Sequence, residues 1–165
     1  MSKSEREHAS TRWRYTPSQT SSTVLPARRA GAVAVAALRQ AISHADALII
    51  ATPEYNSSVP GALKNALDWA SRPWPDNGLR GKPVCVIGAS TGRFGAVWPQ
   101  AELRKILTTI GADVIDQELP VGQAHEAFDA DGALADPDLR ARVAESVAEL
   151  IERAVRGPAE AWVTC

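Results

Sequence analysis

Cysteine is scarce in this 165-residue chain. Cys85 lies inside an apolar run and Cys165 ends the sequence, which makes neither a disulfide framework nor a metal-binding cluster. A reducing cytoplasm is therefore the expected compartment. Long hydrophobic runs are lacking too: the longest, such as residues 47–51, are far too short to cross a bilayer, and no membrane is expected. Neither sign of charge is in excess. A formal net charge of −1 gives no general electrostatic reason to expect a nucleic acid partner. The three histidines, His8, His44 and His125, have no spacing suited to a metal, and each is expected to be structural or solvated. Asp129 and Asp131 lie in a polar stretch without an EF-hand pattern. No G-x-S-x-G elbow is present, which removes the usual signature of an α/β-hydrolase.

What is present is ordinary for a globular protein, with 45% hydrophobic and 22% charged residues, and the length suits one domain. The average hides a split. Residues 1–23 contain ten Ser or Thr and, apart from Trp13 and Tyr15, little that could enter a core. The composition of residues 1–29 predicts a disordered or non-homologous leader. A transit peptide fits less well, because Glu5 and Glu7 are acidic and apolar periodicity is missing. Residues 30–157 are expected to form the domain, and residues 158–165 a C-terminal tail.

From residue 30 the pattern becomes regular. Val33, Ala37, Leu38, Ala41, Ile42 and Ala45 recur at helical spacing. Residues 47–51 are apolar without alternation, as in a buried parallel strand. Val59, Leu63, Ala66, Leu67 and Ala70 form a second helical stripe, with Ser57 or Ser58 as its cap and Pro60 in its first turn. Pro73, Pro75 and Asn77-Gly78 break the chain. Residues 83–88 (PVCVIG) read as a second buried strand. A Gly-rich loop then leads to a helix striped by Leu103, Ile106, Leu107 and Ile110, which Gly111 is placed to end. Residues 114–119 read as a third strand, less apolar and so nearer an edge, and 120–135 as a loop. Asp136 caps a last helix, Pro137 opens it, and Gly157-Pro158 stops it. Alternating helices and strands predict an α/β fold with a parallel sheet covered on both faces.

In such sheets, ligands bind at the loops beyond the carboxyl ends of the strands. Two of these loops are unusual. Residues 52–58 (TPEYNSS) set a carboxylate, a phenol and an amide side by side at Glu54, Tyr55 and Asn56, with the backbone fixed by Pro53. Such groups suit hydrogen bonding to a planar heterocycle with Tyr55 over one face. The alternative is a polar turn that caps the next helix. Residues 88–95 (GASTGRFG) offer small residues, two hydroxyls and a cation, yet match neither the P-loop nor the G-x-G-x-x-G fingerprint. An ordinary flexible turn fits this second loop equally well. Trp69 and Trp74, flanking Arg72-Pro73, read as packing or subunit-contact residues rather than as a stacking site.

At these loops the sequence resembles the NADPH-dependent FMN reductase family, the flavodoxin-like quinone, azo and chromate reductases. Residues 46–72 (DALIIATPEYNSSVPGALKNALDWASR) and 81–107 (GKPVCVIGASTGRFGAVWPQAELRKIL) carry the resemblance, which runs from about residue 30 to 119. It implies a flavodoxin-like three-layer parallel sheet. It also implies FMN bordered by Pro53, Glu54, Tyr55 and Asn56 from one loop and by Ser90, Thr91, Gly92 and Arg93 from the next. NADPH or NADH would reduce the flavin, which passes electrons to a small acceptor such as a quinone; no side chain need act as acid or base, and no metal takes part. A homodimer or homotetramer is implied as well. A flavodoxin-type electron carrier fits less well, because such carriers are usually strongly acidic.

The chain departs from that family before residue 30. Members begin with a strand and a Gly-Ser-x-Arg-type loop around the FMN phosphate, followed by a helix and a second strand. Residues 1–30 contain no such loop, so the domain is expected to be N-terminally truncated or rearranged. Each charge-assisted hydrogen bond lost from the phosphate would remove about 1.5–3 kcal/mol. The strand at 47–51 would become an apolar sheet edge. A non-catalytic remnant or interaction subunit that has lost FMN binding is therefore the alternative reading.

Overall fold

Strands too apolar to face water on either side must be covered by helices, and the connections between parallel strands supply them. The computed structural model describes residues 24–157. The expectations for residues 1–23 and 158–165 lie outside the described residues. In order, the chain forms α1 (Val24–His44), β1 (Leu48–Thr52), α2 (Gly61–Ala70), β2 (Pro83–Ala89), α3 (Val97–Ile110), β3 (Asp113–Val114), β4 (Pro120–Val121) and α4 (Pro137–Arg156). The parallel sheet runs β1-β2-β3, with β4 pairing farther along the same edge of β2.

Side-chain alternation divides the core in two. On one face Val84 and Val86 of β2 pack with Leu67 and Ala70 of α2, with Leu103, Leu107 and Ile110 of α3, and with Ile42 of α1. On the other, Cys85 packs with Ile115, Leu119 and Leu150, the last from α4. Burial pushes the Cys85 thiol above its ordinary range, and the Glu149 carboxylate adds to the effect. Three layers result, as the sequence implies.

β1 pairs with β2 alone among the described residues. Leu48 and Ile50 join the first core. Ile49 has the opposite orientation, toward the face that α4 covers only farther along the sheet, and is 51% exposed. The apolar edge expected for residues 47–51 is thus present among the described residues.

Three local features differ from the sequence reading. α1 begins at Val24 rather than near residue 30. Pro26 does not prevent this, because it falls in the first turn, where the missing N–H is not needed. α2 is capped by the backbone of Pro60, with no side-chain cap. The Ser58 hydroxyl instead donates to Glu102 on α3.

The strand expected at 114–119 is not continuous: only Val114 of it lies in a strand, β3, and pairing resumes at β4, Pro120–Val121. Ile115 N donates to Val84 O, and Gly88 N donates to Leu119 O, so the ends pair with β2. Side chains take the middle. Arg104 donates to the Gln117 carbonyl and to the Glu118 carboxylate, while Arg142 donates to the Glu118 carbonyl. These charged donors compete with the ladder for the same backbone oxygens. The last helix matches expectation closely: the Asp136 carboxylate accepts from the amides of Asp138 and Leu139, and α4 ends at Gly157.

Candidate functional site

The register Thr52↔Gly88 ends β1 and β2 side by side, so the two unusual loops leave the sheet from strands spaced about 4.8 Å apart. β4 adds a third. Gly88 and Ala89 pair with Pro120 and Val121, which brings residues 122–124 to the same carboxyl end. This third segment is invisible as a site in the sequence, where it reads as the start of a long loop.

The first loop is a tight hairpin turn. Tyr55 N donates to Ser58 O and Ser58 N to Tyr55 O, both at 3.1 Å. Asn56 and Ser57 between them have φ of 53° and 60°. Positive φ at both central positions is the signature of a type I′ turn, whose twist suits closely paired flanks. Tyr55 is 62% exposed and Asn56 is exposed, while Glu54 is half-buried. Pro53, exposed, follows directly on the buried end of β1 at Thr52.

Two residues not singled out by the sequence pattern hold these loops. Glu102, in the second turn of α3, accepts from the Ser58 hydroxyl at 2.7 Å and from the Val59 amide at 3.3 Å. Gln100 is fully buried beneath the second loop. Its amide donates to Gly95 O at 3.2 Å and accepts from Leu119 N at 2.9 Å. The bonds of Glu102 to Ser58 and of Gln100 to Leu119 span 44 and 19 residues, so no local signal announces them.

The second loop lies directly on the third. Ser90 N donates to Val121 O, Ala124 N to Ser90 O, and Gln123 N to Gly92 O, each at 3.0 Å. The glycines allow this approach: a Cβ on Gly95 would meet Gly122 N at 2.6 Å, and one on Gly122 would meet Arg93 O at 2.4 Å. Ser90 also accepts the Gly92 amide at 3.0 Å, which leaves Thr91, Gly92 and Arg93 exposed at the tip. Arg93 makes no ion pair among the described residues. Phe94 and Trp98 beside it meet edge to face at 5.2 Å, both largely exposed.

A planar heterocycle with carbonyl and ring-nitrogen edges needs donors, acceptors and close backbone approach. The exposed Tyr55 phenol, the Asn56 amide, the Ser90 and Thr91 hydroxyls and the side-chain-free Gly92 supply these at one end of the sheet. The residues present therefore fit the ring of a flavin. A cavity of about 250 Å³ lined by Ser43, His44, Asp46, Arg80 and Lys82 lies at the opposite, amino end of β1 and β2 and takes no part. His44 lies beside that cavity, away from these loops, whereas His125 directly follows Ala124 of the third loop and faces Glu126 at 3.3 Å. Trp69 and Trp74 are half-exposed; Trp69 borders an apolar groove against Ala32, Val35 and Ala36 of α1. No described helix is long and apolar enough to cross a membrane.

Comparison with known proteins bears on the family and the fold. The family model for NADPH-dependent FMN reductase matches residues 20–126, reaching farther back than the quoted motifs. An NAD(P)H-dependent FMN reductase from Pseudomonas aeruginosa is 44% identical over 118 residues, 71% of this chain and 63% of that protein. A 2-hydroxy-1,4-benzoquinone reductase from a Burkholderia species is 43% identical over 105 residues, 63% of this chain and 57% of that protein. The chain thus spans about 60% of the length of these curated relatives. Among solved structures, the flavoenzyme FerB, an NAD(P)H:(acceptor) oxidoreductase from Paracoccus denitrificans, superposes with a TM-score of 0.64 at 36% identity, covering 76% of this chain and 69% of that one. The fold is accordingly the flavodoxin-like α/β arrangement that the sequence implies. On the family match, the solved-structure likeness and the two sequence blocks together, this chain belongs to the NADPH-dependent FMN reductase family.

Proposed function

We propose that this protein binds FMN at the carboxyl end of β1, β2 and β4, and that NADPH or NADH reduces the flavin, which then reduces a small acceptor such as a quinone. The observation that carries this reading is the convergence of the three loops in a chain of this family. Pro53, Glu54, Tyr55 and Asn56 would hold one side of the ring, and Ser90, Thr91, Gly92 and Arg93 the other. When bound, FMN supplies the hydride and electron chemistry itself. The chain's own residues bind and orient it. The Tyr55–Ser58 turn presents the phenol, the Gly92 segment permits close backbone approach, and the positive charge of Arg93 would favour the negative charge that the ring gains on reduction. No side chain is required as acid, base or metal ligand.

Quinone as the acceptor class is supported by the names of the relatives, which include quinone reductases from Escherichia coli and a benzoquinone reductase. A homodimer or homotetramer in the cytoplasm completes the proposal. The domain, expected at residues 30–157, is taken to extend back through α1 to Val24, inside the family match at 20–126, which shortens the leader expected at 1–29; residues 158–165 are taken as a tail.

The test is anaerobic reduction. Purified protein incubated with FMN and then passed through a desalting column should retain flavin that NADPH bleaches and a quinone restores. Folded protein that emerges without flavin, and oxidises no NAD(P)H when FMN and quinone are supplied, would leave the alternative: an interaction subunit, which should then co-assemble with a full-length relative.

A further inference from the structure

The geometry points to Glu102 as a positioning residue that locks the Tyr55–Ser58 turn into the shape the ligand meets, an inference that rests on the flavin site proposed above. The turn is poorly held by its own sequence. Asn56 and Ser57 both have positive φ, a region that L residues enter only at a cost in free energy, smaller for Asn. Ser57 has no such exemption. Two backbone hydrogen bonds close the turn, but both lie within it and neither fixes it to the rest of the fold.

Glu102 supplies that attachment. A single carboxylate oxygen, Oε2, accepts both the Ser58 hydroxyl and the Val59 amide, just where the chain leaves the turn and enters the core at buried Val59. Bonds to a charged acceptor are roughly twice as strong as neutral ones. Glu102 makes no ion pair among the described residues, so its carboxylate serves this turn rather than a cation. Gln100, two positions earlier, ties Gly95 of the second loop to Leu119 before the third. The first two turns of α3 therefore carry polar arms to the first and second loops and to the segment that enters β4. Tyr55, at the start of the turn, is left 62% exposed.

The experiment measures residue-resolved amide exchange in the protein without added flavin, then FMN binding, for the wild type, Glu102→Ala, Glu102→Gln and Ser58→Ala. Glu102→Ala removes both charge-assisted bonds and should speed exchange at Tyr55, Ser58 and Val59 by at least about tenfold, while Val84 and Val86 in β2 keep their protection. It should weaken FMN by a similar factor and alter the shape of the bound flavin's absorbance band. Glu102→Gln, which retains an acceptor oxygen, should recover most of both effects. Ser58→Ala, a milder change that keeps the carboxylate, should show the same pattern at smaller amplitude, and it decides the matter if Glu102→Ala does not fold. Unchanged exchange at Tyr55 and Ser58, or a rise shared equally with β2, would overturn the proposal, since the first means no clamp and the second only general stability. If wild-type protein binds no FMN, the flavin reading falls, while the exchange measurement still decides whether Glu102 holds the turn.

Discussion

Gly95 offers the sharpest physical test of how the loops are assembled. It has a φ of +59°, and a Cβ added there would lie 2.6 Å from Gly122 N and 2.7 Å from both the nitrogen and the carbonyl carbon of Val121. All of these are backbone atoms that no side-chain rotation can move. Two costs follow for Gly95→Ala. The left-handed conformation costs about 1–2 kcal/mol. Relieving the clash requires the second loop to retreat from β4, which loosens the bonds from Ser90 N to Val121 O and from Gln123 N to Gly92 O, each worth about 1 kcal/mol net. The total is about 3 kcal/mol, a more than hundredfold change in the folding equilibrium at 1.4 kcal/mol per tenfold. Gly132→Ala is the control, because φ there is +80° but nothing lies within 4 Å of the added Cβ. It should cost only the conformational part, about 1 kcal/mol. Urea unfolding of both variants measures the difference. Equal costs would refute the packing of the Gly-rich loop against β4.

Other outcomes follow from the same structure. Gly31, inside α1 with nothing within 4 Å of an added Cβ, should stabilise the protein by about 0.5–1 kcal/mol when changed to Ala, read as a higher urea midpoint. The raised Cys85 pKa makes the folded state hold its thiol proton where the unfolded chain has lost it. Stability is therefore full below the unfolded thiol's pKa and falls as pH rises above it, by at most about 1.4 kcal/mol per pH unit. Urea unfolding from pH 7.5 to 10 should show this slope, and Cys85→Ser should flatten it. Tyr55→Ala should weaken FMN, whereas His44→Ala, at the opposite end of the sheet, should leave it unchanged; equal effects in a flavin titration would place the site elsewhere.

The elements that the sequence announced are those whose signals are local. α4 was legible because Asp136, Pro137 and Gly157 stand at its ends, and α3 because Gly111 takes the left-handed conformation that closes it. β1 and β2 were legible as unbroken apolar runs, and the two loops followed once the strands were placed. The missed features depend on residues far apart in the chain. The edge strand breaks because Arg104 and Arg142 take its carbonyls, and no periodicity within 114–119 records that. Ser58 looked like a helix cap because its true partner, Glu102, is 44 residues away. The third loop at the site became visible only through the pairing of Pro120 and Val121 with β2.

The central claim is that the carboxyl end of this sheet holds FMN. Titrating purified protein with FMN, following quenching of flavin fluorescence while light scattering verifies that the sample is not aggregated, tests it most directly. Saturable quenching at one FMN per chain, weakened by Tyr55→Ala, is the predicted result. A folded, unaggregated sample that leaves flavin fluorescence unchanged would contradict it.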